Sequence, residues 1–257
     1  MHDDDFGNGL GIRSHPLGNE FNECVRKLAP VLKDLEKKPS RHKVIFVVDG
    51  SGSMAFEDLP EWNTPCSPNR SPMLENILMS IASLQGGVKN VPVISGFWGE
   101  QDGVKWHRDA LQNPENIQKL KTGLGCSTDL APALTEMISL ATSTAGSGTR
   151  LHFVLVSDGD LVDEPNARRA MELLLGENGH VTLDFVLTGR ATTVVPVMRN
   201  LAVEMKKKYK SQVGEIKGFE KNASLGEVHG IFTDVIGNHV NLREQRTNPG
   251  LKLHSPS

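Results

Sequence analysis

The stretch Lys43-Val44-Ile45-Phe46-Val47-Val48-Asp49-Gly50-Ser51-Gly52-Ser53 decides the reading of this chain. Behind Lys43 the run is apolar and rich in β-branched residues up to Val48, the pattern of a strand buried on both faces. Asp49, Ser51 and Ser53 then place oxygen-bearing side chains at every second position, with glycines between them. In a nearly extended segment alternate side chains face the same way, and the glycines let the backbone turn tightly as it leaves a sheet. Three hard oxygen donors therefore converge at the end of a central strand.

Outward from this point, strand and helix patterns alternate. Strands are predicted at Val91 to Trp98, with Pro92 suited to a strand start, at Leu151 to Val156 and at Val181 to Leu187. Gly103 to Trp106 reads as an edge hairpin, and Gln212 to Gly218 as a last, polar strand. Amphipathic helices are predicted at Met73 to Leu84, Leu130 to Ala141, Asn166 to Leu175, Val194 to Met205 and Leu225 to Ile236. Alternating βα units of this length imply an α/β fold: a mainly parallel, doubly wound sheet with helices on both faces, whose ligands bind beyond the carboxyl ends of the strands.

Two further oxygen-bearing loops fall at that edge. Gly125-Cys126-Ser127-Thr128-Asp129 precedes the helix at Leu130, and Ser157-Asp158-Gly159-Asp160 follows the strand at Leu151 to Val156. A donor set of Asp, Ser and Thr, without Cys or neutral nitrogen, suits Mg²⁺, Ca²⁺ or Mn²⁺ rather than Zn²⁺.

These three loops resemble the metal-ion-dependent adhesion site of von Willebrand factor type A domains. The family pattern is Asp-x-Ser-x-Ser after the first strand, a Thr ahead of a helix and an Asp after the fourth strand. Asp49, Ser51 and Ser53 match the first part, Thr128 the second and Asp158 the third, and the resemblance spans about Arg41 to Val240. It implies a Rossmann-like fold and one Mg²⁺, with Ca²⁺ or Mn²⁺ as alternatives. The serines and Thr128 would touch the ion directly or through water, the aspartates often one water away, and Asp129 would stand in support behind them. Cys126-Ser127 replaces the small pair often found before the Thr. The resemblance further implies that a protein partner supplies an Asp or Glu to the ion, and that catalysis is not required. Intracellular bacterial members of the family often serve beside MoxR-type AAA+ ATPases, which makes that the expected partner class.

Other chemistries fit less well. An EF-hand needs Gly at its sixth position and Glu at its twelfth, where this chain has Met54 and Pro60. A Mg²⁺-dependent phosphohydrolase of haloacid-dehalogenase type is the alternative, but it calls for a second Asp where Ser51 stands. No GxSxG surrounds Ser51 or Ser53, and Gly7-Asn8-Gly9-Leu10-Gly11 lacks a preceding strand. Histidines are scattered; His152 and His180, at strand starts, read as surface or satisfied core residues. Trp62, Trp98 and Trp106 form no stacking platform that can be read from the sequence.

Of the 257 residues, 38% are hydrophobic and 23% charged, enough for a packed core, and a net charge of −3 offers no broad basic surface for nucleic acid or an anionic membrane. The run Lys206-Lys207-Lys208-Tyr209-Lys210 reads as a solvated helix end. Three cysteines, Cys24, Cys66 and Cys126, show no CxxC spacing and read as reduced thiols. The start lacks the regions of a signal peptide and no apolar run is long enough to span a bilayer, so the expected location is cytoplasmic. By domains, 1–40 forms an arm and a helix, 41–240 the metal-binding domain and 241–257 a flexible tail. Residues 55–72 are an insertion: Pro60, Pro65, Pro68 and Pro72 prevent a continuous helix, so a loop carrying Glu57, Asp58, Glu61 and Trp62 lies beside the metal. It is either a plain surface loop or one that shapes partner choice.

Overall fold

Val44 to Val48 are each wholly buried, as their two-sided apolar pattern demands. They belong to β1 (His42–Asp49), an inner strand in the computed structural model, which describes residues 41–51, 54, 73–87, 93–100, 103–107, 128–159, 161–188 and 197–239. Along the chain follow α1 (Met73–Gly87), β2 (Val93–Glu100), β3 (Gly103–His107), α2 (Ala131–Thr144), β4 (Arg150–Ser157), α3 (Glu164–Glu177), β5 (Val181–Thr188), α4 (Val197–Lys208), β6 (Val213–Phe219) and α5 (Leu225–Gly237). The sheet order is β3-β2-β1-β4-β5-β6. Every neighbouring pair is parallel except β2 and β3, which form the expected antiparallel edge. The fold is thus α/β and doubly wound.

The side-chain alternation of β1, β4 and β5 divides the core in two. Ile45, Val47, Phe153, Leu155 and Phe185 pack with Leu134 of α2, Met171 of α3 and Leu201 of α4. Phe46, Val48, Val154 and Val186 face the other way, onto Ile77 of α1 and Phe232 of α5. The Phe46 and Phe232 rings lie 5.0 Å apart at 45°, a favourable tilted contact. β6 is only half-buried, in keeping with its polar sequence and edge position.

Helix ends follow local chemistry where they can. Ser224 caps α5 by accepting the Glu227 N–H at 3.2 Å, as in a Ser-x-x-Glu capping box. α4 runs to Lys208, three residues past its expected end, because Lys206, Lys207 and Lys208 suit the negative end of the helix dipole. The helix expected between Phe21 and Leu35, the 55–72 insertion and the tail from Asn241 lie outside the described residues. Among the described residues no helix is long and apolar enough to cross a membrane.

Candidate metal centre at the carboxyl edge of the sheet

Parallel neighbours leave a sheet at the same edge, so the loops after β1 and β4 meet. Asp49 closes β1 and Asp158 directly follows β4. Asp49 is completely enclosed, and Ser51 and Asp158 are nearly so. One Asp49 oxygen, Oδ1, accepts the Ser51 N–H at 2.9 Å, and the other, Oδ2, accepts the Ser157 hydroxyl at 2.8 Å. Ser157 Oγ in turn accepts the Gly159 N–H at 3.0 Å, bracing the turn in which Asp158 sits. The Gly50 N–H donates to the Trp98 carbonyl at 2.6 Å and ties the same loop to β2. Asp49 is therefore held in one orientation by groups from both its own loop and the next strand.

This placement is electrostatically costly. Burial first, and the charge of Asp158 second, push the Asp49 carboxyl up from 3.8 to about 7, against the hydrogen bonds from Ser51 and Ser157, which favour the charged form. No cationic side chain of the described residues stands among these influences. Among the described residues no three His, Cys, Asp or Glu side chains group closely enough to hold a metal by themselves. Beside these carboxylates Ser51, buried and two residues from Asp49, offers a hydroxyl oxygen. Two carboxylates and neutral hydroxyl oxygens fit a hard divalent ion.

Thr128 and Asp129, both half-buried, lie in the segment that leads into α2. That segment is tied to the β4 loop by Asp163, whose Oδ1 accepts the Leu130 N–H at 3.0 Å and whose Oδ2 accepts the Ala131 N–H at 2.7 Å. Ser53 lies outside the described residues. Asp49, Ser51 and Asp158 are thus brought together, and the Thr128 loop is bonded to the loop of Asp158.

Two residues of this arrangement escaped the sequence reading. Ser157 was visible only as part of an oxygen-rich loop, yet it links Asp49 to the turn carrying Asp158. Asp163 stands where a cap for α3 belongs, in Asp163-Glu164-Pro165, yet makes no side-chain cap bond to that helix. Its carboxylate instead supplies the cap that Leu130, the N-cap residue of α2, cannot.

No family model and no curated protein matches the chain. Solved structures similar to it include a manganese-loaded TRAP protein of Plasmodium vivax, at 16% identity and TM-score 0.47 over 76% of this chain and 72% of that one. Proximal thread matrix protein 1 from the mussel byssus is similar at 15% identity and TM-score 0.47, over 77% of this chain and 48% of that one. An aerotolerance-related membrane protein from Bacteroides fragilis is similar at 14% identity and TM-score 0.41, over 73% of this chain and 98% of that one.

Proposed function

We propose that the chain is a von Willebrand factor type A domain that grips a protein partner through one divalent cation, Mg²⁺ or in its place Ca²⁺ or Mn²⁺. Asp49, Ser51, Ser53, Thr128 and Asp158 hold the ion, and Asp129 supports them. The observation that carries this reading is the buried pair Asp49 and Asp158, which presents carboxylate charge with no cation of the described residues among the influences on Asp49. When bound, such an ion supplies an electrophilic position that a partner Asp or Glu fills.

The chain's own residues define how. Asp49 stays fixed because Ser51 and Ser157 bond both of its oxygens. Ser51 and Thr128 contribute oxygens without charge, so the ion's positive charge is only partly compensated and an anionic partner group remains attractive. Asp163 keeps the Thr128 and Asp158 loops in register. The role is adhesive, without turnover: a second acid or general base positioned for phosphoryl transfer forms no part of it. A MoxR-type AAA+ ATPase is the partner class that the family resemblance favours, and the cytoplasm the matching compartment.

Affinity capture from native lysate with and without EDTA tests this. We expect one or more proteins retained only with Mg²⁺ and lost with the Asp49→Ala variant. Retention that ignores both EDTA and the variant contradicts the proposal, and Mg²⁺-dependent phosphatase turnover abolished by Asp49→Asn favours the phosphohydrolase instead.

A further inference from the structure

The strands that end at the proposed metal site begin at the opposite edge of the sheet, and a concavity opens there. Arg41, His42, Arg150 and His180 line it together with Gly146 and Gly148, and its volume is about 700 Å³. Small-molecule sites are typically about 300–1,000 Å³. Among the described residues no carboxylate lines this one.

The basic residues sit on a rigid frame. Arg41 and His42 enter β1, Arg150 opens β4 and His180 immediately precedes β5. The Arg150 N–H donates to the Arg41 carbonyl at 2.6 Å, the Leu151 N–H donates to the His180 carbonyl at 3.1 Å, and His42 pairs with Arg150 in the strand register. His180 Nε2 lies 3.0 Å from the Ala141 carbonyl and so donates to it, which fixes the ring against α2. Gly146 and Gly148, both at positive φ, complete the wall without side chains.

The two arginines of this edge differ from the other basic residues. Elsewhere Arg168 pairs with Glu164 and Glu204, Lys208 with Glu172 and Lys217 with Asp234. Neither Arg41 nor Arg150 has an ion-pair partner among the described residues. His42 registers the same imbalance: after burial, the nearby Arg150 and His239 are what hold it below its ordinary value. Two guanidinium forks and two imidazoles on one concave wall, with no acid among its described lining residues, concentrate anions, and the fork geometry matches phosphate oxygens two at a time.

We infer that this amino-edge pocket is a binding site for the phosphate group of a small molecule, anchored by Arg41 and Arg150. The phosphate arises either from a free polyphosphate anion or from the phosphate tail of a nucleotide. Seven residues of β1 separate this edge from Asp49, about 23 Å at roughly 3.3 Å per residue, well beyond a screening length of about 8 Å. The inference therefore stands apart from the metal reading.

Pyrophosphate and ATP, each titrated at constant ionic strength with EDTA present, test it by amide chemical shifts and calorimetry. Saturable shifts centred on Gly146, Gly148, Thr149 and Arg150 are expected, with affinity weakened roughly tenfold or more in the Arg41→Gln/Arg150→Gln double variant and unchanged in Asp49→Asn. Binding of pyrophosphate identifies phosphate alone as sufficient; binding of ATP only identifies a nucleotide as the source. Absence of saturable shifts at these amides with both probes overturns the inference, as does undiminished affinity in the double variant. The wild-type amide map decides the matter even if the double variant fails to fold.

Discussion

The two ends of β1 and β4 bury titratable groups to nearly the same depth and resolve them in opposite ways. At the amino edge His152 is 3% exposed, yet the protein satisfies it from within. Its Nε2 lies 2.8 Å from His42 Nδ1 and its Nδ1 lies 2.7 Å from the Thr182 hydroxyl. Its ring stacks between those of His42 and His239, at 5.1 and 4.6 Å. His239 in turn bonds Asp184, a wholly buried carboxylate that also accepts the Glu215 N–H at 2.6 Å. At the carboxyl edge Asp49 faces another carboxylate instead of a histidine. A buried acid bonded to a histidine can be compensated within the protein, whereas a buried acid beside a second acid suits an external cation. That difference is why the carboxyl edge is assigned the metal.

The largest expected effect separates the two edges by pH. Asp49 has its folded value raised from 3.8 to about 7, so in metal-stripped protein its contribution is fully present below 3.8 and is lost as pH rises through 7. The loss is on the order of 4 kcal/mol at about 1.4 kcal/mol per unit. His152 behaves oppositely. Burial first, then His239, His42 and Arg150, lower it from 6.5 to about 3, so stability is lost as pH falls below 6.5. Between pH 3.8 and 6.5 the two slopes oppose each other, so denaturant melts of EDTA-treated wild type are expected to show a nearly flat stability there. Asp49→Asn should remove the Asp49 slope and unmask a stability that rises with pH through this window, and Mg²⁺ should raise stability towards pH 7 in wild type alone. A profile equally flat in Asp49→Asn contradicts the assignment to Asp49.

A middle-sized effect tests how tightly the amino edge is closed. A Cβ on Gly214 would stand 2.2 Å from Asp184 Oδ1. Gly214→Ala must displace a buried, doubly bonded carboxylate and should cost about 1–3 kcal/mol, read from the urea midpoint. It should leave metal affinity at the far edge unchanged; a loss there would show that the two ends are mechanically coupled.

A smaller effect is expected from Asp163→Ala, which removes the acceptor for two N–H groups at the start of α2 and should cost about 0.5–2 kcal/mol. Because Asp163 joins the Thr128 and Asp158 loops, Mg²⁺ affinity should fall along with the melting temperature. Asp163→Asn, which retains one acceptor oxygen, should recover part of each. Lower stability with unchanged affinity makes Asp163 a helix cap and nothing more.

How much of this was legible in the sequence depends on the range of the interaction. β1, β4 and β5 could be read because burial on both faces writes an unbroken apolar run into the chain itself. The candidate ligands stood out because Asp49, Ser51 and Ser53 alternate within one short stretch, and Thr128 and Asp158 each lie close to the end of a predicted element. The roles of Ser157 and Asp163 were hidden, since their partners are Asp49, 108 residues away, and α2, some 32 residues away. His152 reads from the sequence as a surface or satisfied core residue and is the second, but its partners His42 and Thr182 come from other strands. Gly214 sits in a strand that reads only as polar; its need for a missing side chain arises from β5 beside it. The basic pocket, likewise, is assembled from three separate strand starts.

Calorimetric titration of Mg²⁺, with Mn²⁺ paramagnetic titration as a cross-check, into EDTA-stripped and dialysed wild type and Asp49→Asn tests the central claim most directly. One ion per chain is expected in wild type and no binding at this site in Asp49→Asn, with circular dichroism showing the same fold in both. A wild type that takes up no ion, or an Asp49→Asn variant that binds as tightly, would contradict the assignment of the carboxyl edge as a metal centre.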